Sequence, residues 1–322
     1  MNLLSSMRYL VALNEHKHFG RAAQSCHITQ PALSNAMRAL EQEFGVVIVR
    51  RGRTFVGLTP EGERVLGAAQ RMLHEHNVLQ QELRSEVHHV RGPLRLGAVP
   101  TAVPVLARFA AMLQARQPGI VPAVFSLSST ELEAGIENLS LDLALGYTER
   151  VKKRQSTVTV HPQYVEHYFF VRRAGKPQGD TLRIRERMRW KDAAQSPLAL
   201  LTPEMHNRTI IDAAFVTAGA PIKPAIETNS ILTLALSVVA GDVCTVMPGA
   251  LLGAVRGYRE LEANPLTAPD VRTPIGFMSN AMTQPSRALE AAIALAHEEG
   301  WLRHAAMHSG LLLADEPPKP AR

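Results

Sequence analysis

At Gly92-Pro93 the hydrophobic rhythm of this chain changes. Upstream, apolar residues recur every three or four positions, the spacing of amphipathic helices. Downstream, short apolar runs alternate with such segments, as expected for strands followed by helices. Glycine followed by proline also halts any helix that reaches it. With 322 residues the chain has length for two or three separate cores. The expected fold class is therefore α+β and multi-domain: a helical N-terminal part, then α/β units.

The N-terminal part can be read element by element. Residues 3–15 form an expected first helix, and residues 20–27 a short second one around Ala22-Ala23, two small residues that suit a close helix crossing. Thr29 is a good cap and Pro31 is tolerated in the first turn, so a third helix is expected over residues 30–44, closed by Gly45. Its inward face is expected to carry Leu33, Met37, Leu40 and Phe44, leaving Gln30, Ser34, Asn35 and Arg38 outward. Residues 46–49 and 55–58 read as two short strands joined by Arg50-Arg51-Gly52-Arg53, a hairpin wing with cations at its tip. Thr59-Pro60 then opens a helix expected to run to Val90. Val65, Ala69, Met72, His76, Leu79, Leu83, Val87 and Val90 would form an apolar seam along it, which suggests a dimer contact.

From Leu94 a βαβαβ order follows, with strands expected at 94–99, 121–125 and 141–145 and helices at 103–116 and 129–138. That order implies a parallel sheet covered by helices. A second series has strands at 168–171, 198–201, 225–227 and 244–247, with helices near 209–218 and 230–240. A last strand at 275–278 and a helix at 285–297 complete it. Residues 314–322, rich in proline and charge, read as a tail without fixed structure.

Several of these residues in register resemble a known family. Ala22-Ala23, Thr29-Gln30-Pro31-Ala32-Leu33-Ser34, Leu40-Glu41, Phe44-Gly45 and Leu58-Thr59-Pro60-Glu61-Gly62 look like the N-terminal signature of LysR-type transcriptional regulators. Gly92-Pro93-Leu94-Arg95-Leu96-Gly97, Leu141-Asp142-Leu143-Ala144-Leu145 and the segment from Gly241 to Pro248 resemble motifs of that family's effector domain. Three positions depart from its pattern: Cys26 and Val49 replace larger apolar residues, and Val243 replaces a glycine. The resemblance implies a winged helix-turn-helix at 1–60, a linker and dimerisation helix at 61–91, and a two-lobed α/β effector domain like a periplasmic binding protein. Lobe I would comprise 92–163 and 269–302, lobe II 164–268, and the tail 303–322. It further implies a cytoplasmic regulator that dimerises, assembles into a homotetramer, binds an imperfect inverted repeat in double-stranded DNA, and works with RNA polymerase.

DNA contact is expected from Thr29, Gln30, Pro31, Ser34, Asn35 and Arg38 on the third helix and from Arg50, Arg51 and Arg53 on the wing. A helix fits the major groove, where Gln and Asn pair with adenine and Arg with guanine, while wing arginines meet phosphates. The charge distribution agrees: the chain carries a net charge of +6, and residues 1–60 hold seven Lys or Arg against three Glu. Effector contact is expected from Thr101, Ser128 and Thr202, hydroxyls at the ends of strands, where helix N-termini favour a small anion.

No nucleotide-binding glycine loop and no nucleophile elbow is present in the sequence, so no catalytic residues, enzyme activity or cofactor are expected. His74, His76, His88 and His89 do not have the spacing of ligands on one helix face, so no metal is expected either. Cys26 and Cys244 lie far apart in sequence and lack neighbouring cations, which disfavours a peroxide-sensing pair. No signal-peptide pattern opens the chain, in keeping with the cytoplasm. The alternative reading is a small-molecule-binding protein of periplasmic-binding type without a DNA role.

Overall fold

The computed structural model describes residues 2–52, 55–84, 90–151, 157–177 and 179–308. The chain divides into two compact units, one built on residues 1–88 and the other on the chain from 89 onward.

In the first unit α1 (Leu3–His16) is capped by Asn2, whose side chain accepts from the Ser5 N–H, and buries Met7, Leu10 and Leu13. In α2 (Phe19–Ser25), capped by His18, Ala22 and Ala23 are buried where larger side chains would hold the helices apart. Thr29 Oγ1 accepts from Ala32 N at the start of α3 (Gln30–Phe44), and Gly45, at φ 65°, closes it. Leu33, Met37 and Leu40 point inward, but Phe44 is 40% exposed. Sitting on the last turn, Phe44 lies past the end of the core that the three residues before it fill. Cys26 packs at the edge of this core, a small apolar substitute.

The wing consists of β1 (Val49–Arg51) paired antiparallel with β2 (Phe55–Leu58). The first strand starts later than the expected residue 46, because a side chain and not a partner strand satisfies the preceding backbone. Glu41 Oε1 accepts from both Ile48 N (3.1 Å) and Val49 N (3.2 Å). Thr59 then caps α4 (Pro60–Arg84), accepting from Gly62 N at 2.9 Å. Leu66 and Ala69 join the core, whereas Met72, Leu79 and Leu83 are exposed. Val90 is not helical; Val87, in the expected seam, lies outside the described residues, as do His88 and His89.

The second unit begins with β3 (Gly92–Ala98), a single 3-10 turn at Pro100–Ala102, α5 (Val103–Arg116), β4 (Ile120–Ser126), α6 (Ser129–Glu137), β5 (Leu143–Tyr147) and α7 (Thr148–Val151). Asp142 ties two of the motifs together: its carboxylate accepts from Arg95 N at 2.7 Å and from the Arg95 guanidinium at 2.7 and 3.2 Å. There follow β6 (Val158–Glu166), β7 (Tyr168–Arg173), β8 (Arg183–Ile184), β9 (Met188–Arg189), α8 (Trp190–Ala193), β10 (Leu198–Leu201), α9 (His206–Thr217), β11 (Ile226–Thr228), α10 (Ile231–Ala240), β12 (Cys244–Pro248), α11 (Gly249–Ala254), β13 (Leu261–Thr267), β14 (Thr273–Asn280), α12 (Arg287–His297) and α13 (Glu299–His308).

Two sheets result. One has the order β4-β3-β5-β14-β6; the other runs β11-β10-β12-β7-β13-β8, with β9 also on β13. The chain passes between them twice, through His167 from β6 to β7 and through residues 268–272 from β13 to β14. The three strands of the βαβαβ order, β3, β4 and β5, are parallel as expected, but both sheets as wholes are mixed: β14 is antiparallel to β5 and β6, and β7 to β12 and β13. The physical reason is the double passage, since strands that carry the chain over and back must run in opposite senses. The second sheet is buried on both faces. Phe169 and Val171 face one core and Tyr168 and Phe170 the other, which is why β7 reads as a continuous apolar run.

The tail expected from residue 303 instead begins as the end of α13. Trp301 and Ala305, four apart on that helix, are fully buried, and the Trp301 indole N–H donates to Gln163 Oε1. Residues 309–322 lie outside the described residues.

Candidate functional site

Two surfaces gather the residues singled out by the sequence. In the first unit, the side of α3 opposite Leu33, Met37 and Leu40 exposes Gln30, Asn35 and Arg38, with Thr29 and Pro31 exposed at its start and Ser34 half-buried. Arg38 Nη1 donates to Asn35 Oδ1 at 3.4 Å, so these two polar groups share one face, one turn apart. Arg50 is exposed on β1, its backbone opposite Gly57. Of Arg51 only the backbone is described, paired with Phe55, and Arg53 lies outside the described residues. Sequence reading missed Glu41, whose carboxylate joins α3 to the start of the wing.

In the second unit, strand ends from both sheets converge on a cleft. Val99, Pro100 and Thr101 follow β3; Ser128 and Ser129 follow β4; Tyr147 ends β5; Leu201 ends β10; and Met205, His206 and Asn207 open α9. These are the carboxyl ends of parallel strands, where α/β sheets place ligands. The cleft encloses about 210 Å³, part of it open to solvent.

Of the expected trio, Thr101 and Ser128 line this cleft and Thr202 does not. Thr101 is buried, its Oγ1 3.1 Å from the Tyr147 hydroxyl. Ser128 forms a capping box: its N–H and Oγ–H both donate to Glu131 Oε2 (2.8 and 2.7 Å), and Oγ accepts from Glu131 N. Thr202 Oγ1 donates to Glu204 Oε1 at 2.7 Å. Tyr147, Met205, His206 and Asn207 were not anticipated. The helix was expected to start near 209, because Met205, at its N-cap, makes no side-chain capping bond.

The polar atoms of the cleft are poorly satisfied. Ser129 Oγ, Asn207 Nδ2 and His206 Nε2 are buried without a partner in hydrogen-bonding geometry. The His206 ring stands edge-on to Tyr147 at 4.8 Å, with Nε2 3.6 Å from Glu149 Oε1. Burial lowers its pKa, reinforced by Arg150 and opposed in part by Glu149. Behind Tyr147 lies Glu166, the last residue of β6 and fully buried, with neither carboxyl oxygen in hydrogen-bonding geometry to a donor. Burial pushes its pKa up to about 8, offset only in part by the nearby Tyr164 hydroxyl. The same burial raises the pKa values of Tyr147, Tyr164 and Tyr168, and Glu166 adds to each. Cys244 is half-buried on β12, its thiol pushed up by burial, and it does not line the cleft.

Each surface lies within a segment that matches a known family. Residues 4–63 match the family model of bacterial regulatory helix-turn-helix proteins of the lysR family, and residues 88–301 match that of the LysR substrate binding domain. The chain belongs to the LysR family. It is a DNA-binding transcriptional regulator with a C-terminal substrate-binding domain, and the alternative of a binding protein without a DNA role is set aside by the helix-turn-helix match. The chain is 30% identical over 246 residues to the hydrogen peroxide-inducible genes activator of Pectobacterium carotovorum subsp. carotovorum, covering 76% of this chain and 79% of that protein. It is 29% identical over 276 residues to the DNA-binding transcriptional dual regulator OxyR of Escherichia coli strain K12, covering 85% and 88%. A cysteine-to-aspartate variant of full-length OxyR from Pseudomonas aeruginosa shares the fold, with a TM-score of 0.67 at 24% identity, over 90% of this chain and 96% of that one. Full-length CbnR complexed with its target DNA also shares it, at 0.60 and 18% identity, over 94% and 99%. Among the described residues no helix is long and apolar enough to cross a membrane.

Proposed function

We propose that this LysR-type regulator reads its operator with the exposed face of α3 and transmits the occupancy of the cleft to transcription. The observation that carries the DNA half is the polar face of α3 beside an arginine-bearing wing. Gln30, Ser34, Asn35 and Arg38 reach base edges, Thr29 and the backbone at Pro31 meet phosphate, and Arg50, Arg51 and Arg53 meet the backbone or minor groove. The exposed apolar residues Met72, Leu79 and Leu83 on α4 support a dimer through that helix. Two such dimers form a tetramer on an imperfect inverted repeat and act with RNA polymerase in the cytoplasm. The domain limits are those set out from the sequence, except that α13 carries the second unit on to His308 and α4 is helical to Arg84, with lobe I on the first sheet and lobe II on the second.

The effector reading rests on the cleft. Relatives are named as hydrogen peroxide-inducible activators, but neither cysteine of this chain is among the residues lining its cleft. A bound molecule, and not a thiol oxidised in place, is therefore the signal here. No catalytic step is part of this reading.

Selection of genomic fragments on the purified protein, followed by gel-shift titration, tests the DNA half. Arg38→Ala is expected to weaken the selected site by about 1–3 kcal/mol and to relax preference at one base pair. Arg50→Ala is expected to weaken all sequences alike and to reduce the salt slope by about one. Selection of no site, or a variant pair that binds as wild type does, would remove α3 and the wing from the interface.

A further inference from the structure

The inference deepens the reading of the cleft as the effector site and rests on it. We propose that the effector is a small uncharged molecule bearing a hydrogen-bond acceptor, such as an amide, ketone or alcohol, held by Ser129, Asn207 and His206, with its apolar body against Val99, Pro100, Leu201 and Met205.

Two of the three hydroxyls expected to hold an anion already serve the protein's own carboxylates, and the third, Thr101, is paired with the Tyr147 hydroxyl. Both donors of Ser128 go to Glu131, and the Thr202 hydroxyl goes to Glu204. An incoming carboxylate must displace these groups and then sit beside them. Two arginines on the flanking helices are also engaged. Arg150 pairs with Glu133 at 2.6 Å. Arg208 grips both oxygens of Asp212, Glu227 Oε1 and the Leu201 carbonyl. Glu149, 3.6 Å from His206 Nε2, adds negative charge at the rim. Unit charges of like sign repel by several kcal/mol at such distances where the effective dielectric constant is about 20.

What remains open is neutral. Ser129 and Asn207 are each more than nine-tenths buried; Ser129 Oγ has no partner, and Asn207 Nδ2 has only the nearby Tyr147 hydroxyl, outside hydrogen-bonding geometry. Asn207 Nδ2 and the Ser129 hydroxyl can donate, and His206, kept neutral by burial, can donate or accept through Nε2. An unmet buried donor costs about 1–3 kcal/mol, so a carbonyl oxygen that reaches it recovers that cost. The rest of the wall is aliphatic or thioether. The free space of the cleft, about 210 Å³ with its opening to solvent included, is narrow, which favours a small molecule.

The test is binding to the full-length protein at pH 7.5 and fixed ionic strength, read by saturation-transfer NMR and calorimetry. Isosteric pairs serve as probes: acetamide against acetate, propionamide against propionate, and benzamide against benzoate. The amide is expected to bind at least about tenfold more tightly than its acid, a difference of about 1.4 kcal/mol. Ser129→Ala and Asn207→Leu are each expected to lose most of that binding. Ser129→Ala is a conservative change that guards against misfolding of the other. Acids that bind as well as amides or better, or no amide preference in any pair, overturn the proposal. If the preferred acid also loses affinity in both variants, the cleft stands and only the charge class falls. If binding of either class survives both substitutions, the cleft itself is not the site.

Discussion

Glu166→Gln is expected to raise the melting temperature of the effector unit at pH 9 by about 10 °C and to leave it nearly unchanged at pH 4.5. The carboxyl ends β6, is fully inaccessible, and has its pKa raised from 4.5 to about 8 by burial. A raised carboxyl means that the folded state holds its proton more tightly than the unfolded chain does. Below pH 4.5 both states are protonated and Glu166 carries no penalty. As pH rises from there the unfolded chain ionises first, and stability falls by up to about 1.4 kcal/mol per pH unit until the folded carboxyl also ionises near pH 8. The full span corresponds to a penalty on the order of 3–5 kcal/mol. Glutamine keeps the shape and never ionises, so the slope between pH 5 and 8 disappears with it. Trp190 and Trp301 are the only tryptophans, and both are buried in the second unit, so indole fluorescence follows that unit alone. Parallel profiles of melting temperature against pH for wild type and variant would show that Glu166 finds a donor or water that burial alone conceals.

The residues around Glu166 also show where sequence reading stops. Tyr164 and Tyr168 flank Glu166 two residues away on either side, but Tyr147 comes from β5, and nothing local joins it to a carboxyl on β6. That strand itself was not anticipated. It carries His161, Pro162 and Gln163 in mid-course, residues that normally mark a loop, and its ladder shifts register opposite Gly276, facing Pro162. The same holds for β13, where Asn264-Pro265 interrupts the apolar run although both residues are buried. Pairing with neighbouring strands specifies these two elements, β14 for β6 and β7, β8 and β9 for β13, and a linear pattern does not contain that information.

The helix-turn-helix was legible because its signals are local. Thr29, Pro31, Gly45 and Thr59-Pro60 each act within one turn of their own position. The cleft was half legible for a related reason. Thr101 and Ser128 directly follow strong apolar strands, whereas His206 and Asn207 open a helix with no capping side chain to announce it. Even at Ser128 the sequence was ambiguous, since a strand-end hydroxyl can face a ligand or close a capping box with Glu131.

Gly62→Ala is expected to reduce operator affinity by at least about a hundredfold while the fluorescence melt of the second unit stays unchanged. The glycine lies in the first turn of α4, and a methyl group there would stand 2.2 Å from the carbonyl oxygen of Ile48. That carbonyl cannot withdraw cheaply. It accepts the Thr59 N–H at 2.9 Å, and the Ile48 N–H is fixed in turn by Glu41 at 3.1 Å. Thr59, which caps the same helix, also donates its hydroxyl to the Val47 carbonyl. The start of the wing is thus pinned from α3 on one side and from α4 on the other. The added methyl must push the first turn of α4 away, releasing the cap, or tilt the wing and with it Arg50. Either movement costs on the order of 1–3 kcal/mol in the unit and misaligns the wing relative to α3. Gly67 on the same helix is the control, since a methyl there meets nothing closer than the Arg71 guanidinium at 3.6 Å. Gly67→Ala is expected to bind DNA as wild type does and to gain about 0.5–1 kcal/mol of stability, as alanine does over glycine within a helix. Were both variants to bind alike, the close approach of α4 to Ile48 would not be what aligns the wing with the reading helix.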